Sequence, residues 1–369
     1  MNYTKLGNFE AICLIVILFI NHLVLNLPQI ILDNSANASI LNCIYILALS
    51  LIFVLLIAKL LKNFAGLDII DISEYLGGKF LKILIGILCI IYLIIESSFL
   101  VRMFSKNLFL AYFNNYPISF IIFMFLFIVV VANLMGRRSI IKVNTIIVPI
   151  ALFSILFTFV FVADLLRVEL SLPILANGAK KIFITGASNV FAFNGLFFLF
   201  FISPLLDKKE NMPKVAFSST LICGMFLLLS IIALVFGFSD IYSVVRISPL
   251  YFIIINSKLT SFLERPEIIF IFIWALALMS FISVAVMFVL NIFKKLTNMK
   301  KVQNLSITVC TIIFVVSLLI NNVFTLEKTA NFFYKYASLI LIFGVFSLVL
   351  IGANIKKKIS KKDLITYRE

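Results

Sequence analysis

The amino-acid sequence predicts an all-α polytopic membrane domain that crosses the bilayer ten times, as two inverted halves of five spans. Three observations lead there. Of 369 residues, 63% are hydrophobic, Phe alone accounting for 41, and mean hydropathy is +1.19. Apolar runs of about 20 residues, the length a helix needs to cross hydrocarbon, recur along the chain. Lys and Arg gather in alternate loops, as they do on the cytoplasmic side of membrane proteins. Charged residues make up 13%, about half the soluble average, and no segment between the runs is long enough for a soluble domain.

The runs cover about 9–31, 40–61, 81–111, 117–135, 140–163, 183–205, 214–238, 267–293, 303–322 and 335–354. Residues 1–369 thus form one integral membrane domain, with repeats at about 9–163 and 183–354 and a basic tail at 355–369. Lys59, Lys62, Lys79 and Lys82 lie between spans 2 and 3; Arg137, Arg138 and Lys142 follow span 4. Lys208, Lys209 and Lys214 follow span 6, and Lys294, Lys295, Lys300 and Lys301 follow span 8. The tail adds Lys356, Lys357, Lys358, Lys361, Lys362 and Arg368, whereas the opposite loops are poor in basic residues. Both termini are therefore expected to be cytoplasmic. The net charge of +15 follows this alternation rather than forming one soluble basic surface, so a nucleic-acid partner is not implied.

Ala36-Asn37-Ala38 looks like a signal-peptidase site, but the apolar stretch before it is too long. It is also interrupted by Asn21, His22, Asn26 and Pro28. Cys13, Cys43, Cys89, Cys223 and Cys310 are odd in number, fall within spans and show no paired spacing. They read as small packing residues rather than disulfide or metal ligands. A single histidine excludes the usual zinc sets. Glu96 is the one acid well inside a span, so a paired-carboxylate acid/base site lacks its second member. No enzyme and no cofactor are implied.

Five is odd, so the second half enters the bilayer from the side opposite the first, the geometry of an inverted repeat. Each half opens with a span of weak helix formers. Span 1 carries Asn21-His22-Leu23 in its middle; span 6 carries Ser188-Asn189 and then Phe193-Asn194-Gly195. Asn and Gly are poor helix formers, and Gly takes up otherwise strained backbone angles cheaply. Breaks there would expose amide N–H groups to a carboxylate and carbonyls to an ammonium group. Two ordinary helices joined by close-packing small residues and interhelical hydrogen bonds remain the other reading. Span 3 adds Tyr92 and Glu96 at i, i+4 on one helix face. Glu96 in hydrocarbon must be paired, solvated or protonated. It could carry a proton, bind an ammonium group or bridge helices. Trp274, eight residues into span 8, reads as an anchor or a packing residue.

From Pro249 to Leu296 the chain runs through an amphipathic interval, then Phe262-Leu263-Glu264-Arg265-Pro266-Glu267, then an apolar span with Trp274, then Asn291 and Lys294-Lys295. This stretch resembles the endospore germination permeases, the B subunits of nutrient germinant receptors in the amino acid–polyamine–organocation superfamily. Leu27-Pro28, Arg102 ahead of Pro117, and Pro204 with Lys208-Lys209 add to the likeness. The resemblance implies a LeuT-like fold with spans 1 and 6 interrupted. It also implies a small nutrient ligand such as an amino acid, A and C subunits as partners, and a place in the spore inner membrane. The family often has glycines where this chain has Asn21-His22-Leu23, and an acid where it has Leu196-Phe197-Phe198. The expected ligand site is Asn21, His22, Leu23, Tyr92, Glu96, Phe193, Asn194 and Gly195. Glu264, Arg265 and Glu267 are expected to form a helix cap, a gate or a partner contact. A stand-alone proton-coupled amino-acid transporter and a ligand-free scaffold are the alternatives.

The topology is tested by cysteine labelling. Asn37→Cys should react with impermeant reagent from the outer face and Lys209→Cys only from the inner face; the reverse pattern would overturn it.

Overall fold

The computed structural model describes residues 5–25, 27–35, 38–162, 178–237, 254, 266–319 and 323–366. Among these there is no strand, only a parallel bridge between Leu6 and Leu206. Span 1 comprises α1 (Asn8–Leu25) and α2 (Leu27–Ser35), followed by α3 (Ser39–Lys62), α4 (Ile69–Ala111), α5 (Ile118–Leu134) and α6 (Arg137–Val162). Span 6 is irregular: a π-helical turn at Lys181–Thr185, a 3₁₀ stretch at Gly186–Phe198 and a single turn, α7, at Leu199–Ile202. Then come α8 (Met212–Gly237), α9 (Pro266–Thr297), α10 (Leu305–Leu319) and α11 (Val323–Ser338). A π-helical stretch, Leu339–Phe346, leads into α12 (Ser347–Thr366).

Eight of the described helical segments are long and apolar enough to cross a membrane. The expected spans 4 and 9 correspond to shorter apolar helices, α5 with 17 residues and α10 with 15. At 1.5 Å per residue they reach roughly 25 and 22 Å. Exposed Phe80, Ile146, Phe153 and Leu348 give the outer helices the apolar surface that hydrocarbon requires. The five cysteines are free and buried, as expected.

The expected span 3 is preceded by an extra helical segment. Asp68 caps α4, accepting from the backbone N–H of Ile70 and Asp71, while Asp71 accepts from the Asp68 N–H. The helix then bends at Gly77 and Gly78; Gly78 has φ 69°, which only Gly adopts freely. Lys295 near the end of α9 donates to Asp68 and Asp71, both at 2.6 Å. Burial pushes the Asp68 carboxyl up to about 6, against the pull of the Lys295 ammonium.

α1 is the centre of the fold. Nearly every side chain from Ala11 to Leu25 is buried, the pattern of a helix surrounded by others. It packs on α6, α8, α9 and the 3₁₀ stretch of span 6. The expected break at Asn21–Leu23 is not there, because α1 runs unbroken through these residues. The reason is local. Asn21 Nδ2 donates back to the Ile17 carbonyl at 2.9 Å and across to the Ala277 carbonyl at 3.3 Å, so its amide is satisfied without unwinding. The glycines that the resemblance implies at this point are also absent. In span 6 the expected irregularity is present, with Phe193 at φ −91°, ψ 33°.

The N-terminal end is clipped to the loop after span 6. Leu6 N–H donates to the Leu205 carbonyl at 2.8 Å, and Asp207 N–H to the Leu6 carbonyl at 3.0 Å. Lys5 pairs with Asp207 at 3.4 Å, and Asn211 donates to Asn8 at 3.1 Å.

Spans 1 and 6 meet at Gly195. A Cβ on this residue would stand 2.4 Å from the Ile15 carbonyl oxygen, a fixed backbone atom of α1. Gly195→Ala should therefore destabilise by about 1–3 kcal/mol, the cost of overpacking, read as a lower unfolding temperature in detergent. Gly7→Ala, whose Cβ meets nothing nearer than 4.0 Å, should change little.

Candidate functional site

Four elements bring polar side chains to one buried point. α1 supplies His22, α4 supplies Tyr92 and Glu96, span 6 supplies Asn194, and α11 ends on Ser338. Glu96 is fully buried and His22 is 3% exposed. His22 Nε2 lies 2.6 Å from Glu96 Oε1, and Asn194 Nδ2 donates to the same oxygen at 3.1 Å. Glu96 thus faces the interior, held by two other residues that the sequence singles out. A lone carboxylate here would be costly, and these contacts offset that cost only in part. Among the described residues its second oxygen, Oε2, has no hydrogen-bond partner, and Asn194 Oδ1 makes none of good geometry. Both are acceptors.

Tyr92, one turn before Glu96, reaches Ser338 at 3.3 Å. Its ring stacks on Phe197 at 5.0 Å and Phe333 at 5.9 Å. The His22 ring stands edge-on to Tyr334 at 4.3 Å, and Phe99 packs on Phe333 and Tyr334. The result is a polar core in an aromatic shell, where low dielectric strengthens each contact. Beyond it, Lys106 of α4 donates to Glu327 of α11 at 2.6 Å, fixing α11 against α4 at the end opposite Asp68.

The remaining expected residues divide. Asn21 binds Ala277 and braces α1 on α9; Gly195 makes the seam with α1; Leu23 and Phe193 are buried apolar side chains. Asn189 takes part in an amide ladder, accepting from Asn34 at 2.9 Å and donating to Asn42 at 2.8 Å. Asn42 in turn donates to the Ile182 carbonyl at 2.9 Å. Glu264 and Arg265 lie outside the described residues. Glu267 is half-buried in the first turn of α9, where an acid suits the helix dipole. Trp274 is buried against Phe270, a packing residue. Sequence reasoning missed Phe333, Tyr334 and Ser338. The signal was there in Tyr334 and Ser338 at i, i+4, but hydropathy starts span 10 at residue 335 and so separates the pair.

Comparison with known proteins bears on the fold and the family. A family model described as "Spore germination protein" matches residues 5–325. Spore germination protein B2 of Bacillus subtilis (strain 168) is 24% identical over 231 residues. That match covers 62% of this chain and 63% of the relative's length, under two thirds of it. The crystal structure of MhsT in complex with L-phenylalanine superposes with a TM-score of 0.70 at 14% identity, over 95% of this chain and 89% of that one. This likeness shows the fold, which is LeuT-like. The chain is an integral membrane protein of permease-like architecture, and it belongs to the spore germination protein family.

Proposed function

We propose that this protein is the permease-like subunit of a spore nutrient germinant receptor. In this reading it binds a small nutrient such as an amino acid and passes the occupied state to A and C subunits in the spore inner membrane, its termini cytoplasmic. It works by binding and conformational change, without a cofactor and without catalysis. Its repeats, about 9–163 and 183–354, complete ten spans, with the basic tail at 355–369. One observation carries the reading: His22, Glu96 and Asn194 from three different elements converge, leaving buried Glu96 Oε2 open to a donor. A ligand ammonium supplies such donors, and the Phe197, Phe333 and Tyr92 rings supply an apolar wall. Occupancy shifts the bundle only by its differential affinity for two arrangements, and this site joins elements that such a shift would separate. Glu264, Arg265 and Glu267 serve as gate or partner contact.

A second reading, a stand-alone proton-coupled transporter, is favoured by the 2.6 Å contact between two titratable groups at His22 and Glu96. In proteoliposomes a sensor binds its nutrient but accumulates little. Concentrative uptake that collapses with the proton gradient would establish the transporter instead.

Glu96→Gln keeps the shape of the site and removes its charge. It should raise the nutrient concentration needed for germination at least about ten-fold, a loss of roughly 1.4 kcal/mol, with the amount of protein in the spore membrane unchanged. A Glu96→Gln variant that responds like the wild type would reject the site.

A further inference from the structure

A cavity of about 500 Å³ opens at the basic end of the bundle. Its cationic lining comes from three helices: Lys82 of α4, Arg137 at the start of α6, and Lys294 and Lys295 near the end of α9. Among the described residues Asp68 is the one acid in the lining. Lys295 is matched by Asp68 and Asp71, and Lys82 by Glu74 at 2.8 Å. Arg137 hydrogen-bonds the Asn291 side chain. Lys294, only partly exposed, makes no ion pair among the described residues.

The helix dipole of α9 accounts for cations in its last turn, and the alternation of loop charge accounts for cations at this end. Neither accounts for their convergence on one cavity from three helices. The cavity also has an amide rim, Asn291 and Asn298, and an aromatic rear wall, Phe201 and Phe288. Asn298 is held at φ 58° while capping α9 through the Lys294 carbonyl. Donors approaching from several directions suit a tetrahedral anion better than a planar carboxylate. Basic pockets between transmembrane helices recognise phosphorylated headgroups in this manner. Exposed Phe80 and Met135, close in sequence to Lys82 and Arg137, put apolar surface near the cations.

We propose that the cavity where Lys82, Arg137 and Lys294 converge is a binding site for a phosphoryl anion, supplied either by an anionic phospholipid headgroup or by a soluble phosphate. The site is separate from Glu96 and does not depend on how that centre is used.

The full chain, purified in neutral detergent or held in phosphatidylcholine nanodiscs, is titrated with inorganic phosphate in one arm and phosphatidylglycerol in the other, following the unfolding temperature. At least one probe should raise it. Lys294→Gln should raise the half-saturating concentration about ten-fold, the equivalent of one lost charged contact, and Arg137→Gln should do the same. The double variant Lys300→Gln/Lys301→Gln, whose cations lie outside the cavity, should behave like the wild type. Stabilisation by phosphate assigns a soluble source, and stabilisation by phosphatidylglycerol a lipid source. The proposal is overturned if neither probe stabilises the wild type, or if the Lys300/Lys301 variant loses as much as Lys294→Gln. Should Arg137→Gln not fold, Lys294→Gln alone decides.

Discussion

The structure turns on a carboxylate buried where water does not reach. In hydrocarbon every polar group must find its partner within the protein, and Glu96 finds His22 and Asn194. Those two contacts dictate which faces of α1, α4 and span 6 point inward, and Tyr92 then brings α11 into the same group. The apolar helices would pack in many ways, since lipid tails are as greasy as Leu and supply no preference between faces. A buried polar cluster discriminates, because a rotated helix would strand its members. Among the described residues Glu96 Oε2 has no hydrogen-bond partner, and the proposed ligand site rests on that open acceptor.

From that cluster an aromatic train leads toward the basic end. Tyr92 stacks on Phe197, Phe197 meets Phe198 edge-on at 5.6 Å, and Phe198 stacks on Phe288 at 5.0 Å. Phe288 is also a wall of the basic cavity. Close-packed rings do not deform continuously; they move by exchanging one packed arrangement for another. A change in the tilt of Tyr92 therefore has a contiguous packed route toward the end where Lys82, Arg137 and Lys294 gather, one ring at a time along span 6.

Much of this was legible in the sequence, for identifiable reasons. Run length revealed eight helices long enough to cross, because hydrocarbon thickness sets a minimum helix length, and a lone acid inside a span had to face inward. Asn194 and Gly195 stood out as poor helix formers, and each found a purpose, one on Glu96 and the other against Ile15. Asn21 misled for a physical reason. Composition alone does not reveal that a side-chain amide can fold back on the carbonyl four residues earlier, so an expected breaker became a brace. Tyr334 escaped because hydropathy fades across Asn331–Lys335 and the apolar run starts just after it. Ser338 then stood alone, a single small hydroxyl with nothing in the sequence to pair it with Tyr92. The short α5 shows the limit of run length, since apolar content marks a segment for the membrane without fixing its helical length.

The clip between the N-terminal segment and the loop after span 6 couples what sequence separates by about two hundred residues. Two main-chain hydrogen bonds and an ion pair make Leu6 and Leu206 into a shared handle for α1 and the end of span 6. Such bonds are modest singly, but here they act in parallel on two levers with a common fulcrum at Gly195. Any tilt of the first span at that end must drag the sixth along or tear the handle open. A neighbouring protein that grasps only residues 5–8 would therefore have its grip on both.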